Sequence, residues 1–310
     1  MRLLTRSDFD GTCCAVLLKE LGLVDEMVYA HPKDLQDGKI PVTTNDILAN
    51  VPYVPGCGLW FDHHSSEQQR NDLQGKYEGL SKPAPSTARV ICDYYGADKF
   101  ARFEELLAQV DKIDSAQLTE EEILDPQGWV LLGFLADPRT GLGYYQDFRI
   151  SNLEYCLKLV EMIRTMTIDE IMAHPDTVER TKLYFENTEK AKAFYKNCSW
   201  MDGPIVISDF RIAGTAPPSN RFLVYSLFPE ANISIRIMDG KNSAFVAFAV
   251  GYSVINRTAT VDVGGLMLKY GGGGHKAVGT CQVPYEQAEE TLDELIGFIK
   301  SNGQIVSTDN

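Results

Sequence analysis

Strands alternate with helices through the first third of this chain, and each expected strand leads into acidic residues. RLLT (2–5) reads as a strand, Gly11–Leu21 as a helix with Val16, Leu17, Leu18 and Leu21 at helical spacing, and Met27–Ala30 as a second strand. Further strands are expected in PVTTNDIL, ending near Asp46, and in CGLWFDHH, ending at Asp62. Ser86 suits the N-cap of the helix STARVICDYY, because its hydroxyl can accept from a free backbone N–H. Another helix runs from about Lys99 to Val110. This alternation favours a parallel sheet covered on both faces. Ligands of such sheets sit beyond the carboxyl ends of the strands. Asp8 with Asp10, Asp46, and Asp62 with His63 and His64 are each expected there.

Composition then limits the partner. With 29 Lys and Arg against 43 Asp and Glu, the chain carries a formal net charge of -14. Proteins that wrap long DNA or RNA draw their affinity from basic side chains, so a long nucleic acid is a poor fit. A small phosphorylated substrate held by metal ions and a few local cations is not excluded. No run approaches the ~20 apolar residues of a membrane span, and MRLLTRSDFDG meets charge too early for a secretory leader. Seven cysteines, an odd number without a C-x-x-C pair, read as buried small hydrophobes in a reducing, cytoplasmic setting.

The 310 residues suit about two domains at roughly 100–200 residues each. From Ser151 to Asn197 the pattern is helical, broken at His174–Pro175. After Trp200–Pro204 come strands PIVISDF, NISIRIM and AFVAFAVGY, with helices near 220–228, 262–270 and 285–300. The fold class is therefore α/β: an N-terminal parallel-sheet domain (1–150), a helical connector (151–199) and a smaller C-terminal α/β domain (200–310). Segment 136–152, with Arg139 and Arg149, reads as structural rather than catalytic.

Three motifs carry chemistry. In Ser7-Asp8-Phe9-Asp10-Gly11-Thr12, two carboxylates on a strand-to-helix turn suit hard divalent cations. In Asp62-His63-His64, adjacent carboxylate and imidazoles supply a metal ligand and a partner that fixes its tautomer. In Lys269-Tyr-Gly-Gly-Gly-Gly-His275-Lys276, bare backbone N–H groups can form an anion-binding nest beside two cationic side chains.

Together, SDFDG, FDHH and GGGGH in this order resemble the DHH phosphoesterase superfamily with its DHH-associated C-terminal domain. The resemblance is strongest to exopolyphosphatase-related and nanoRNase-like members. It implies an N-terminal catalytic domain, a C-terminal substrate-binding domain and a hydrolase acting on phosphoric esters or anhydrides. The implied cofactor is Mn²⁺ or Mg²⁺, as two ions that activate a water. Asp8, Asp10, Asp46, His63 and Asp111 become metal ligands, with Asp114 an alternative to Asp111. Asp62 is expected to orient His63, His64 to face the phosphate, and Arg257 to take part in catalysis. Arg257, Gly272, Gly273, Gly274 and His275 become substrate contacts, together with Asn220 and Arg221. The implied substrate is short: an oligonucleotide, a dinucleotide or a nucleoside bisphosphate. A homodimer is compatible with the sequence.

Members with this form of the first motif often carry a histidine where this chain has Arg6, and a guanidinium cannot ligate a metal. Arg6 instead suits a phosphate clamp, which puts the first metal position in question. The competing readings are an exopolyphosphatase, a nucleotide sensor without turnover, and a haloacid-dehalogenase-like phosphatase with Asp8 as nucleophile.

Overall fold

A computed structural model describes residues 1–64, 77–240 and 243–302. Strand β1 (Arg2–Thr5) lies between β2 (Glu26–Tyr29) and β3 (Asp46–Ala49), followed by β4 (Leu59–Asp62) and β5 (Gly79–Ser81), in the order β2-β1-β3-β4-β5. Every neighbouring pair in this sheet is parallel. Side chains alternate between the faces of a strand, yet Leu3 and Leu4 are both fully buried, so each face of β1 is covered. Leu4, Leu48 and Trp60 pack with Ala30, Leu35 and Val51 in one apolar cluster. Strand order reverses between β1 and β3, and the crevice at their carboxyl ends is where such sheets bind ligands.

A second sheet has the order β10-β11-β9-β8-β7-β6. Its strands are β6 (Ser199–Asp202), β7 (Ile205–Asp209), β8 (Ile233–Asp239), β9 (Val246–Tyr252), β10 (Gly273–His275) and β11 (Val278–Val283). β7 and β8 pair in parallel, and the other neighbours are antiparallel. Burial alternates along β8 and β9, and Ile233, Ile235, Ile237, Phe248 and Val250 share a core with Leu295 and Ile299 of the helix Ala288–Asn302.

The chain forms two compact units, Met1–Glu186 with Pro218–Asn220, and Asn187–Pro217 with Arg221–Asn310. The segment read as a separate connector is thus divided between them. Its first helix, Asn152–Thr165, is tied into unit 1 by the Tyr29 hydroxyl donating to the Cys156 carbonyl and by an ion pair between Lys19 and Glu161. Four short strands escaped the sequence pattern: β5, β6, β10 and β11. β10 is built largely of glycine, which has no side chain to show alternation. β3 begins at Asp46 rather than ending there, a difference that bears on the site. The described helices include none long and apolar enough to cross a membrane.

Candidate active site

The carboxyl ends of β1 and β4 deliver the central residues. Asp10 lies in the first turn of the helix Phe9–Glu20 and is nearly fully buried. Its two oxygens accept the backbone N–H groups of Thr87 and Ala88 at 2.9 Å, at the start of the helix Thr87–Tyr95. The expected Ser86 cap is present there, its hydroxyl accepting from the Arg89 N–H. Burial, together with the charges of Asp114 and Asp8, pushes the Asp10 carboxyl up to about 7 against the opposing effect of His63.

His63 is buried just beyond β4. Its Nδ1 lies 3.0 Å from the Ala84 carbonyl, so that nitrogen carries the hydrogen and donates it. Nε2 lies 3.2 Å from Asp114 Oδ2 and 3.9 Å from Asp10 Oδ2. Burial alone would lower this imidazole, but Asp114, Asp10 and Asp62 outweigh it and raise it. The donor atoms of Asp10, His63 and Asp114 all lie within 4.8 Å of one another. Two carboxylates around one imidazole nitrogen form a seat for a cation, and an O, N, O donor set suits Mn²⁺ or Mg²⁺. The residues therefore fit a divalent ion at this position.

Asp114, not Asp111, supplies the helix's carboxylate to this group. Both lie on the helix Glu104–Asp114, but Asp111 is engaged by Arg89, whose Nη2 and Nε approach its Oδ2 at 2.6 and 2.8 Å, and by the Ser86 hydroxyl at 2.7 Å. One helical turn separates the two, and sequence spacing could not say which turn faces His63.

Asp8 has different company. It N-caps the helix Phe9–Glu20, with Oδ1 accepting the Gly11 N–H at 2.9 Å. The same oxygen accepts from Asn50 Nδ2 at 2.9 Å, and Oδ2 lies 3.2 Å from Arg6 Nε. Asn50, at the carboxyl end of β3, was not singled out in the sequence, although a polar residue closing the run Ile47-Leu48-Ala49 was its signal. It is 2% exposed and holds a left-handed φ of 57°, a conformation asparagine tolerates better than most residues.

Asp46 stands at the opposite, amino-terminal end of the strands. Parallel register pairs it with Arg2 and pairs Ala49 with Thr5, so Asp46 lies three residues, about 10 Å, before the strand end that faces Asp8. Its carboxylate takes Arg2 Nε at 2.7 Å, Arg2 Nη2 at 2.9 Å and both the N–H and the hydroxyl of Thr43. Burial would raise Asp46, but these donors outweigh it and hold the carboxyl below its ordinary value. The expected role for Asp46 as a bridging metal ligand is therefore corrected to a structural one. Asp62 is likewise reassigned: its Oδ1 lies 2.8 Å from His64 Nδ1, while the expected partner, His63, uses its Nδ1 on Ala84. Burial, with the neighbouring His63 and Arg6 charges, holds His64 well below the usual imidazole value.

The remaining candidates are not members of the Asp10, His63 and Asp114 group. Asn220 belongs to unit 1, is 2% exposed, and donates its amide to the Ile123 carbonyl and the Tyr184 hydroxyl, an internal tie rather than an open contact. In unit 2, Arg221 lays its guanidinium over the Phe222 ring, and exposed Arg257 donates Nε to the Val254 carbonyl. Gly273, Gly274 and His275 pair with β11 as a strand instead of standing as an open nest. A Cβ at Gly272 would fall 2.0 Å from the Thr280 carbonyl oxygen, and one at Gly274 would fall 2.2 Å from that of Val278. Close strand packing thus accounts for these two glycines.

No family model matches the chain, and no curated protein sequence matches it. Among solved structures, it is similar to a pGpG-specific phosphodiesterase, PggH from Vibrio cholerae, with 43% identity, a TM-score of 0.74, and coverage of 97% of this chain and 99% of that one. A DHH-domain protein described as a member of a family of ribosomal proteins shares the fold at 13% identity and a TM-score of 0.58, covering 98% of this chain and 86% of its own. The chain belongs to the DHH phosphoesterase superfamily. An exopolyphosphatase-related protein from Bacteroides fragilis shares the DHH fold at 11% identity and a TM-score of 0.50, covering 98% of this chain and 93% of its own. DHH membership removes the haloacid-dehalogenase-like reading, and the three donors on Asp8 agree: a nucleophilic carboxylate would need an open oxygen.

Proposed function

We propose that this chain is a divalent-metal-dependent phosphodiesterase whose substrate is the linear dinucleotide pGpG. The observation that carries this reading is 43% identity, maintained over 97% of the chain, to a pGpG-specific phosphodiesterase. The convergence of Asp10, His63 and Asp114 supports it. A divalent ion bound there, Mn²⁺ or Mg²⁺, supplies Lewis acidity and a nucleophilic water at neutral pH.

The chain's own residues do the rest. Donation from Thr87 and Ala88 fixes the Asp10 carboxylate, and the Ala84 carbonyl holds His63 with Nε2 turned toward the two acids. Asp62, itself fully buried, fixes the ring of half-buried His64 through Nδ1, and Nε2 is the ring atom we assign to proton exchange with a phosphate ester. Arg6, anchored on Asp8 and 34% exposed along its side chain, holds permanent positive charge for the phosphoryl oxygens.

Incubation of the metal-loaded protein with pGpG, a bisphosphate nucleoside and polyphosphate tests this reading by chromatography. Conversion of pGpG to mononucleotides, at least about tenfold faster than any other substrate, is the expected result. Faster release of phosphate from polyphosphate would favour the exopolyphosphatase reading, and tight pGpG binding without turnover would favour the sensor.

A further inference from the structure

Resemblance implied two ions, yet the structure offers the two positions on unequal terms. Asp10, His63 and Asp114 turn three donor atoms toward a common point. Asp8 belongs to no such group among the described residues. Its neighbours are a guanidinium, a carboxamide nitrogen and a backbone N–H. None of these atoms has a lone pair to offer a metal. The orientation of the Asn50 amide follows from the carboxylate it faces, because turning it over would set two acceptor oxygens 2.9 Å apart. The acid expected to bridge two ions, Asp46, is at the amino-terminal end of the strands and is held by Arg2. An ion placed on Asp8 would stand beside a fixed positive charge and among hydrogen-bond donors.

We propose that this active site takes a single divalent ion, at Asp10, His63 and Asp114, and that the guanidinium of Arg6 is the resident second cation, set on Asp8 where another ion would otherwise be expected. Arg6 is suited to that position, since its guanidinium brings a cation without lone pairs and its ion pair with Asp8 fixes its place. Asn50 completes the arrangement by adding a hydrogen-bond donor to Asp8 without adding negative charge. The ion count rests on geometry within unit 1. The part played by Arg6 toward a phosphate rests on the function proposed above.

Mn²⁺ titration of the full chain, followed calorimetrically and by electron paramagnetic resonance, tests the count without reference to turnover. The expected result is one tight equivalent with the six-line spectrum of an isolated Mn²⁺, absent in His63→Ala. Two tight equivalents with an exchange-coupled spectrum would overturn the proposal, as would retention of the single equivalent in His63→Ala. The double variant Arg6→His with Asn50→Asp recreates a ligand set around Asp8 and is expected to bind a second equivalent; a folded double variant that binds one ion would remove Arg6 and Asn50 as the cause. Hydrolysis of pGpG with two bound ions would overturn the single-ion count alone, whereas one bound ion without hydrolysis would overturn the proposed function and leave the count standing.

Discussion

Asp8 and Asp10 lie two residues apart on one turn, both almost fully buried, yet their surroundings differ completely. Asp8 is met by Arg6, Asn50 and the Gly11 N–H, a set that neutralises its charge within the protein. Asp10 faces another acid and an imidazole, and its carboxyl is pushed up to about 7 by burial, Asp114 and Asp8. Two identical side chains have thus become a closed ion pair and an open cation seat. The contrast teaches that a carboxylate's value as a metal ligand depends on what its neighbours can donate, more than on its place in a motif.

The largest effect is expected from opening a hole in the seat. His63→Ala removes the nitrogen donor and should abolish both tight Mn²⁺ binding and turnover, a loss beyond the ~10–100-fold that deleting a supporting partner causes. Titration and kinetics would check this, and activity within tenfold of wild type would place the seat elsewhere.

A sharper comparison sets Asp114→Ala against Asp111→Ala. The first should cost metal affinity at least about tenfold with little change in Tm. The second breaks the Arg89 and Ser86 contacts, and should lower stability by about 1 kcal/mol while leaving metal affinity intact. The opposite pattern in calorimetry would exchange their roles.

Asp62→Asn keeps the shape beside His64 and weakens the ring's orientation. Its expected effect is a fall in kcat of about 10–100-fold, with the Mn²⁺ equivalent retained. Loss of the metal instead would show that Asp62 serves His63.

The smallest effect should come from Asp46→Asn. Turnover and metal count should be unchanged, while Tm falls by several degrees for a loss of about 1–3 kcal/mol. Because the folded-state carboxyl is held below its ordinary value, its contribution is present above about pH 4 and disappears as pH falls through the lower value. An acid unfolding midpoint shifted by this substitution, alongside intact catalysis, would complete the separation of Asp46 from the site.

Much of this was legible in the sequence. RLLT, CGLWFDHH and PIVISDF mark strands because their apolar residues need cover, and Ser86 marks a helix start because its hydroxyl can satisfy an N–H. The part played by segment 136–152 was not legible; the structure sets it on buried Arg180, whose Nη2 donates to the Ile150 carbonyl and whose guanidinium lies 4.2 Å from the Phe148 ring centroid. The glycine run has a packing reason that the sequence did not show: Gly272 and Gly274 yield space to the backbone of β11, a demand visible once the strands are paired.

The sequence by itself determined the α/β class, the family resemblance and the presence of Asp10, His63 and His64 at strand ends, since these follow from local pattern and motif order. Tertiary structure alone decided that Asp114 rather than Asp111 meets His63, that Asp46 serves Arg2, and that Asn50 completes the surroundings of Asp8. Each of these depends on register or helical phase between segments distant along the chain. A shift of one helical turn or three strand residues moves a carboxylate by about 5–10 Å, from a ligand position to one where it can only form a salt bridge.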